Sequence, residues 1–205
     1  MYIVFEGIVG SGKSTQSKKL VEHLRALYPE MEILHVREPG STPIAEDIRH
    51  LCQAKEWEDE IMHPLTNAYL YAAARAQTLH TVVLPALDLG KIVVSDRSFL
   101  SSLAYQGEAQ GLGFDTVLSV NREAIEGVLP DMIFYMDIDV DTALSRTFDA
   151  VGDKWEKMGK DFFEKIIRGY QKAAELEILK GKYISIDAQG NQDEVFQRVI
   201  KSINI

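Results

Sequence analysis

A glycine-rich stretch at residues 5–15 constrains this chain more than any other feature of its sequence. It matches the pattern G-x-x-x-x-G-K-S/T, with an apolar run before it and a helical pattern after it. Glycines let the backbone curl so that its N–H groups face phosphate oxygens, and the following helix adds the positive end of its dipole. The stretch therefore predicts a nucleoside triphosphate site. The residues that would form it are Gly7, Gly10, Ser11, Gly12, Lys13, Ser14 and Thr15.

The side chains of this stretch also indicate a metal ion. Lys13 would reach the β- and γ-phosphates, and the Ser14 hydroxyl would bind the Mg²⁺ that accompanies the nucleotide. Asp96 follows an apolar run, at a position where a carboxylate could meet the same ion. Alternatively, or at the same time, Asp96 could cap the helix that begins near Ser98. Mg²⁺ is the expected cofactor, with Ser14 and Asp96 as its protein ligands.

Five apolar runs predict the strands of a sheet. Several are continuous in hydrophobicity rather than alternating, which is typical of parallel strands covered on both faces. Helical patterns lie between the runs, as in successive β-α-β units. The sequence thus predicts an α/β protein with a three-layer P-loop NTPase-type fold, in which helices flank a five-stranded parallel sheet. The expected strands are residues 2–5, 32–36, 91–95, 132–137 and 182–186.

Two of the predicted helices and one loop are the most informative of the remaining elements, and all belong to a single domain, residues 1–205. Thr42 is suited to cap a helix that starts at Pro43, and a longer helix is predicted over residues 64–89, with Pro85 loosening its last turns. Residues 149–160 lose the helical period and carry two glycines, so they predict a short mobile loop. The apolar face of the longer helix should contain Leu65, Tyr69, Ala72, Ala73, Ala76 and Leu79.

Charge and cysteine content restrict the partners and the compartment. The formal net charge of −9 argues against nucleic acid or an anionic membrane as the main partner. No run approaches the ~20 apolar residues of a membrane span. Cys52 is the only cysteine, so no intramolecular disulfide can form, and the amino terminus carries no export signal. We therefore expect a cytoplasmic protein that binds neither nucleic acid nor membrane.

Polar residues after the strands carry the remaining functional signal, because ligands of open α/β sheets lie outside the carboxyl ends of the strands. The stretches at these ends, and on the helices beside them, are Arg37-Glu38-Pro39-Gly40, Tyr71-Ala72-Ala73-Ala74-Arg75, Asp96-Arg97-Ser98, Ala104-Tyr105-Gln106-Gly107 and Ile186-Asp187-Ala188. These motifs extend over nearly the whole chain. Their order and spacing resemble those of the motifs in the thymidylate kinases, a family of nucleoside monophosphate kinases. Each motif is weak alone, but together they are specific.

The resemblance implies that a homodimeric enzyme transfers the γ-phosphoryl group of ATP to dTMP, giving dTDP. It implies that Arg97 binds the acceptor phosphate with Arg37 beside it, and that Arg75 contacts the thymine. Arginine suits such roles because its planar fork grips phosphate through two hydrogen bonds. Tyr71 is expected to stack on the base, and Tyr105 to crowd a ribose 2′-OH. The expected dTMP-binding residues are Glu6, Arg37, Tyr71, Arg75, Arg97, Ser101, Ser102 and Tyr105.

On the donor side, the resemblance implies that Arg146 lies near the adenine and the phosphates, and that Asp187 and Ala188 flank the adenine. It makes residues 149–160 a lid that closes over the phosphates and excludes water. The chain departs from many relatives in two ways. Val9 stands where they carry a carboxylate, and neither the phosphate loop nor the lid contains an arginine, so lysines are the only lid cations. The expected catalytic residues are Lys13, Arg97, Arg146 and Lys154.

Two other functions fit parts of the sequence. A deoxynucleoside kinase has a similar phosphate loop and could use Glu6 as the base that a 5′-hydroxyl requires. A nucleotide phosphate, with its second pKa near ~6, arrives already ionised and needs cations more than a base. A nucleotide-dependent switch without an acceptor would not need those cations. Arg37, Arg75 and Arg97 therefore favour the monophosphate kinase.

Overall fold

The sheet confirms the predicted α/β architecture. The computed structural model describes residues 1–53, 60–146 and 158–203. Its strands, numbered β1 to β5 along the chain, are Tyr2–Glu6, Ile33–Arg37, Ile92–Asp96, Met132–Asp137 and Tyr183–Asp187. They form one parallel sheet in the order β2-β3-β1-β4-β5, and each begins within one residue of its predicted start. Every residue of the central strand β1 is buried, because its neighbours and the flanking helices cover both faces.

The helices of the described part, numbered α1 to α9 along the chain, are Lys13–Leu27, Pro43–Gln53, Pro64–Thr78, Leu84–Asp88, Phe99–Ser102, Phe114–Asn121, Val140–Ser145, Lys160–Ala174 and Gln192–Lys201. Helix α1 packs against α9 and against β1, β2 and β3. Helix α2 begins as predicted, since the Ala45 N–H donates to Thr42 Oγ1 at 3.1 Å. This arrangement leaves the carboxyl ends of the strands at one edge of the sheet.

The predicted helix over residues 64–89 is interrupted. It consists of α3, a π-helical segment Leu79–Val83, and α4. Pro85 lies in the first turn of α4, directly after the π-helical segment, and it lacks the backbone N–H that would continue regular α-helical hydrogen bonding. The loosening that Pro85 predicts is therefore confirmed, and it takes the form of a π-helical segment ending two residues before the proline.

The apolar face predicted for this helix is wrong in part. Tyr69 is 59% exposed, whereas the buried face of α3 includes Asn67, Arg75 and Thr78. These three polar side chains can be buried because each finds hydrogen-bond partners inside the protein. Apolar periodicity alone could not identify the buried face of α3, because polar side chains form part of that face.

Most of the predicted lid, residues 149–160, lies outside the described residues, and Lys154 lies outside them too. Of this stretch the structure describes residues 158–160, and Lys160 opens α8 with an ion pair to Asp141 at 2.6 Å. Within the described ranges no helix is both long enough and apolar enough to cross a membrane.

Candidate active site at the carboxyl ends of the strands

The phosphate loop joins β1 to α1 and requires glycine at Gly10. The φ angle of Gly10 is +79°, and a Cβ there would lie 2.1 Å from the Ala143 carbonyl oxygen, because α7 passes directly over the loop. Within the described part of the chain no side chain caps α1, and no acidic residue lies in its first turn, so its first N–H groups are available to an anion. Ser11 Oγ is buried and has no hydrogen-bond partner among the described residues. The loop is therefore built to receive phosphate oxygens.

Lys13, Ser14 and Asp96 lie together at the mouth of this loop. Lys13 is buried and its Nζ donates to the Ile8 carbonyl oxygen at 3.1 Å. Ser14 Oγ donates to Asp96 Oδ2, while the buried Asp96 Oδ1 has no hydrogen-bond partner among the described residues. A hydroxyl and a carboxylate oxygen are ligands that Mg²⁺ prefers, so these residues fit the ion. The alternative role of Asp96 as a helix cap is wrong, because Ser98 caps α5.

A cavity of about 220 Å³ opens beside these groups. Five cationic side chains and two carboxylates line it, so it is locally positive although the whole chain carries −9. Such a cavity can hold an anion against the repulsion of the overall charge. It brings together all of the predicted dTMP-binding residues except Glu6. The lining residues are Val9, Lys13, Ser14, Arg37, Glu38, Pro39, Arg49, Gln53, Tyr71, Arg75, Asp96, Arg97, Ser98, Ser101, Ser102, Tyr105 and Gln106.

Arg97 occupies a strained position in this cavity. Its φ angle is +78°, in the left-handed region that favours glycine, and such strain is commonest at functional sites. Its Nη1 lies 3.0 Å from Ser101 Oγ and 3.3 Å from both the Gly7 carbonyl oxygen and Tyr170 Oη. Desolvation works against its charge, yet the phenols and carboxylates around it raise the pKa of Arg97 well above its ordinary value. Arg97 is therefore a fixed cation at the end of β3.

Arg75 is tied into the protein more completely than predicted. It is 2% exposed, and its Nε makes a 2.6 Å ion pair with the buried Glu38. Its Nη1 donates to Ser102 Oγ and Asn121 Oδ1, and its Nη2 donates to the Ser98 carbonyl oxygen. A guanidinium has five N–H donors, so these partners, counted over the residues that the structure describes, leave one for a ligand. Arg75 thus holds the cavity together, and any contact with a base depends on that one donor.

Arg37 and Arg49 line the cavity from β2 and α2. Arg37 Nη2 lies 2.8 and 2.9 Å from the two carboxylate oxygens of Glu46, in a pair that is largely exposed. An exposed pair is weak, so Arg37 can exchange this partner for phosphate at little cost. Sequence reasoning missed Arg49, which donates to the Pro39 carbonyl oxygen at 3.1 Å. Its position on α2, just after the strand-end arginine motif, is the signal that could have identified it.

Gln106 is a second residue that sequence reasoning missed. It lines the cavity beside Tyr105, and its Nε2 donates to Asn67 Oδ1 at 2.9 Å. Both side chains are buried, so Asn67 sets the orientation of the Gln106 amide. The π-helical segment Leu103–Ala109 carries Tyr105 and Gln106, and segments of this kind occur often at functional sites. The Ala104–Gly107 motif contained Gln106, but its side-chain orientation could only come from the fold.

Glu6 is buried and, unlike the other predicted dTMP-binding residues, does not line the cavity. Its Oε1 accepts from the Ser98 N–H at 2.7 Å, Ser98 Oγ at 2.8 Å and the Ser101 N–H at 3.2 Å. Its Oε2 accepts from Ser101 Oγ at 2.6 Å and from Tyr170 Oη at 3.0 Å. This buried carboxylate therefore accepts five hydrogen bonds from the protein. It organises the loop that carries Arg97 and is not placed to act as a base.

The predicted donor residues lie at the same edge of the sheet, beyond β5. Arg146 donates through Nη1 to the Ala188 carbonyl oxygen at 3.2 Å and through Nη2 to the Gly190 carbonyl oxygen at 3.1 Å. Asp187 Oδ1 accepts from the Gln189 N–H at 2.9 Å, and Ala188 is fully buried. Arg146 therefore ties the end of α7, which packs on the phosphate loop, to the loop after β5.

Known proteins share both the sequence and this architecture. The thymidylate kinase family model matches residues 5–199. Thymidylate kinase from Finegoldia magna is 41% identical, over 98% of this chain and 96% of its own length, and that from Chlorobaculum parvum is 37% identical over 99% and 95%. The crystal structure of thymidylate kinase from Ehrlichia chaffeensis superimposes with a TM-score of 0.79 at 28% identity, over 98% of this chain and 97% of that one. The chain belongs to the thymidylate kinase family.

Proposed function

We propose that this protein transfers the γ-phosphoryl group of ATP to dTMP, giving dTDP. One observation carries the proposal: a locally positive cavity opens directly beside the phosphate loop and contains Arg97 as a fixed cation. The loop suits a nucleoside triphosphate, and the cavity suits a second anion. Membership of the thymidylate kinase family names the two substrates that fit these adjoining sites. The whole chain, residues 1–205, acts in this proposal as one catalytic domain.

In this reaction the protein mainly positions the substrates and neutralises charge. Lys13 stabilises the negative charge on the phosphoryl group while this group moves from the donor oxygen of ATP to the acceptor oxygen of dTMP. Arg97, with Arg37 beside it, holds the acceptor phosphate so that its oxygen faces the donor. Ser14 and Asp96 would hold Mg²⁺, which supplies further charge neutralisation on the transferred phosphates when bound. Arg146 holds the loop after β5 against the donor site.

The structure bears on the deoxynucleoside kinase alternative through Glu6. A 5′-hydroxyl acceptor needs a general base within hydrogen-bonding reach. Glu6 already accepts hydrogen bonds from Ser98, Ser101 and Tyr170, and it does not line the cavity. A phosphate acceptor needs no base, which agrees with what the cavity offers. A nucleotide-dependent switch binds no acceptor, so it would not explain why cationic side chains line the cavity.

A steady-state panel tests the proposal. With ATP and Mg²⁺, we expect dTMP to be phosphorylated with a larger kcat/KM than thymidine, dUMP, dCMP or dGMP. Thymidine should be at least about 30-fold poorer than dTMP, because it leaves the cationic groups of the cavity without their anionic partner. Thymidine turning over faster than dTMP would overturn the monophosphate assignment. Hydrolysis of ATP with no phosphorylated acceptor would favour the switch instead.

We also infer that the protein is a homodimer, as the family resemblance implies. Apolar side chains are exposed on the two adjacent helices α2 and α3: Ile44 is 57% exposed, Leu51 45% and Tyr69 59%. Covering such a surface with a second copy would remove apolar area from water. Light scattering should therefore give twice the mass of one chain, and Tyr69→Glu should shift the mass toward that of a monomer. A monomeric wild-type protein would contradict the inference.

The cysteine content bears on where this enzyme works. Cys52, the only cysteine, is buried on α2. A chain with one cysteine has no intramolecular disulfide to maintain and needs no oxidising compartment. We therefore place the proposed activity in the cytoplasm.

A further inference from the structure

Tyr170 was not among the predicted site residues, yet its hydroxyl reaches the groups that hold Arg97. It belongs to α8 and is fully buried. Its oxygen lies 3.0 Å from Glu6 Oε2, 3.3 Å from the Gly7 carbonyl oxygen, 3.0 Å from Ser101 Oγ and 3.3 Å from Arg97 Nη1. One hydroxyl therefore joins the end of β1, the phosphate loop and the segment after β3.

The direction of these hydrogen bonds follows from the protonation of the phenol. Burial, and after it the negative charge of Glu6, raises the pKa of Tyr170 well above its ordinary value, so the phenol stays protonated at neutral pH. The phenol donates its single O–H hydrogen to Glu6 Oε2, because a hydrogen bond to a charged acceptor is stronger than one to a neutral acceptor. The phenol oxygen is then left to accept from Arg97 Nη1. Glu6 thus orients Tyr170, and Tyr170 orients Arg97.

Close packing around α8 holds this hydroxyl in place. Gly169 lies against the π-helical segment Leu103–Ala109, and a Cβ on Gly169 would be only 2.6 Å from Ala104 Cα. This close crossing leaves α8 little room to move relative to that segment. The Tyr170 ring also packs against Tyr135, with 5.3 Å between the ring centroids. The packing of the protein itself therefore fixes the position of this hydroxyl.

We propose that Tyr170 is a positioning residue for the acceptor phosphate, a role that rests on the function proposed above. Among the described residues only Nη1 of Arg97 makes hydrogen bonds, so Nε and Nη2 remain for the phosphate. Holding Nη1 in advance reduces the conformational freedom that the long side chain loses when phosphate binds. Tyr170 does not line the cavity, so its effect passes through Arg97 and depends on the presence of the phosphate.

Binding of dTMP and of thymidine to Tyr170→Phe tests this role, because thymidine lacks the phosphate. The variant keeps the ring and removes only the oxygen. We expect dTMP to bind about tenfold more weakly, as when a hydrogen bond to a charged group is lost, while thymidine and ATP bind as in the wild type. Tyr183→Phe is the matched control, since Tyr183 Oη donates to the Tyr170 carbonyl oxygen at 3.3 Å and does not touch Arg97. Equal losses for dTMP and thymidine would overturn the proposal.

A double-mutant cycle with Arg97→Ala supplies the second test. If Tyr170 acts through Arg97, adding Tyr170→Phe to Arg97→Ala should change dTMP affinity by less than about twofold. Additive losses would show that Tyr170 acts on the fold or on another group, and would overturn the proposal. Failure of the proposed function itself looks different, because wild-type protein would then fail to bind or phosphorylate dTMP before any substitution is made.

Discussion

Lys13→Met should lower kcat for dTMP phosphorylation by about 10²–10³-fold, the loss seen when one preorganised donor is removed from a developing negative charge. Lys13 is only 6% exposed, so methionine keeps an apolar stem in the buried position and removes the charge together with the hydrogen bond to the Ile8 carbonyl oxygen. The KM for dTMP should change little, because Lys13 is assigned to the phosphates of ATP. Steady-state kinetics with each substrate varied in turn measures both values.

Lys18→Ala is the control for this substitution. Lys18 lies on the same helix but is exposed, so its loss should leave kcat and both KM values unchanged. If Lys13→Met retained more than about a tenth of wild-type kcat, Lys13 would not carry the transition-state charge. Arg146 would then be the better candidate among the described cations.

Arg97→Ala should raise the KM for dTMP by about 30- to 4,000-fold, since removing one member of a buried charge pair costs about 2–5 kcal/mol. The reason lies in its geometry: Nη1 is held by Ser101 and Tyr170, and the rest of the fork faces the cavity. The KM for ATP should remain close to that of the wild type. Initial rates over a dTMP series at saturating ATP measure the effect.

Arg168→Ala is the matched control for Arg97→Ala. Arg168 lies on α8, is half exposed, and stands 4.0 Å from Glu108, so its loss should not affect dTMP. If Arg97→Ala instead raised the KM for ATP and left the KM for dTMP unchanged, Arg97 would belong to the ATP site and not to the acceptor phosphate site. Arg97→Lys separates charge from shape, because lysine keeps the charge but not the planar fork.

The strands and the phosphate loop could be predicted because their signals are local. A parallel strand covered on both faces appears as an apolar run, so β1 and β4 were identifiable from their own residues. The turn of the phosphate loop depends on glycines such as Gly10, which the sequence displays directly. Strand ends then indicated where Arg37 and Arg97 would meet, since ligands collect at that edge of the sheet.

The role of Glu6 could not be predicted, because it depends on partners far away in the chain. Ser98 and Tyr170 lie 92 and 164 residues from Glu6. A glutamate after a strand is equally consistent with a base, a ligand contact or a buried acceptor until its donors are known. For the same reason the sequence did not reveal the ion pair between Arg75 and Glu38, although it did indicate that Arg75 lies on a helix.

The buried polar face of α3 and the π-helical segment Leu103–Ala109 were missed for a related reason. Periodicity assigns the apolar side to the core, yet Asn67 and Arg75 are buried while Tyr69 faces outward. Tertiary partners decide that outcome, since a buried polar side chain is tolerated only where it is hydrogen-bonded. The π-helical segment Leu103–Ala109 also had no sequence signal of its own, whereas Pro85 indicated the interruption at Leu79–Val83.

Phosphorus NMR of the protein with equimolar ATP and dTMP in the presence of Mg²⁺ tests the proposed phosphoryl transfer, because it identifies the bond that forms. Our account predicts that the resonances of ADP and dTDP grow together, one molecule of each for every ATP and dTMP consumed. ADP accompanied by orthophosphate, with dTMP left intact, would contradict phosphoryl transfer to the acceptor and leave a nucleotide hydrolase or switch in its place.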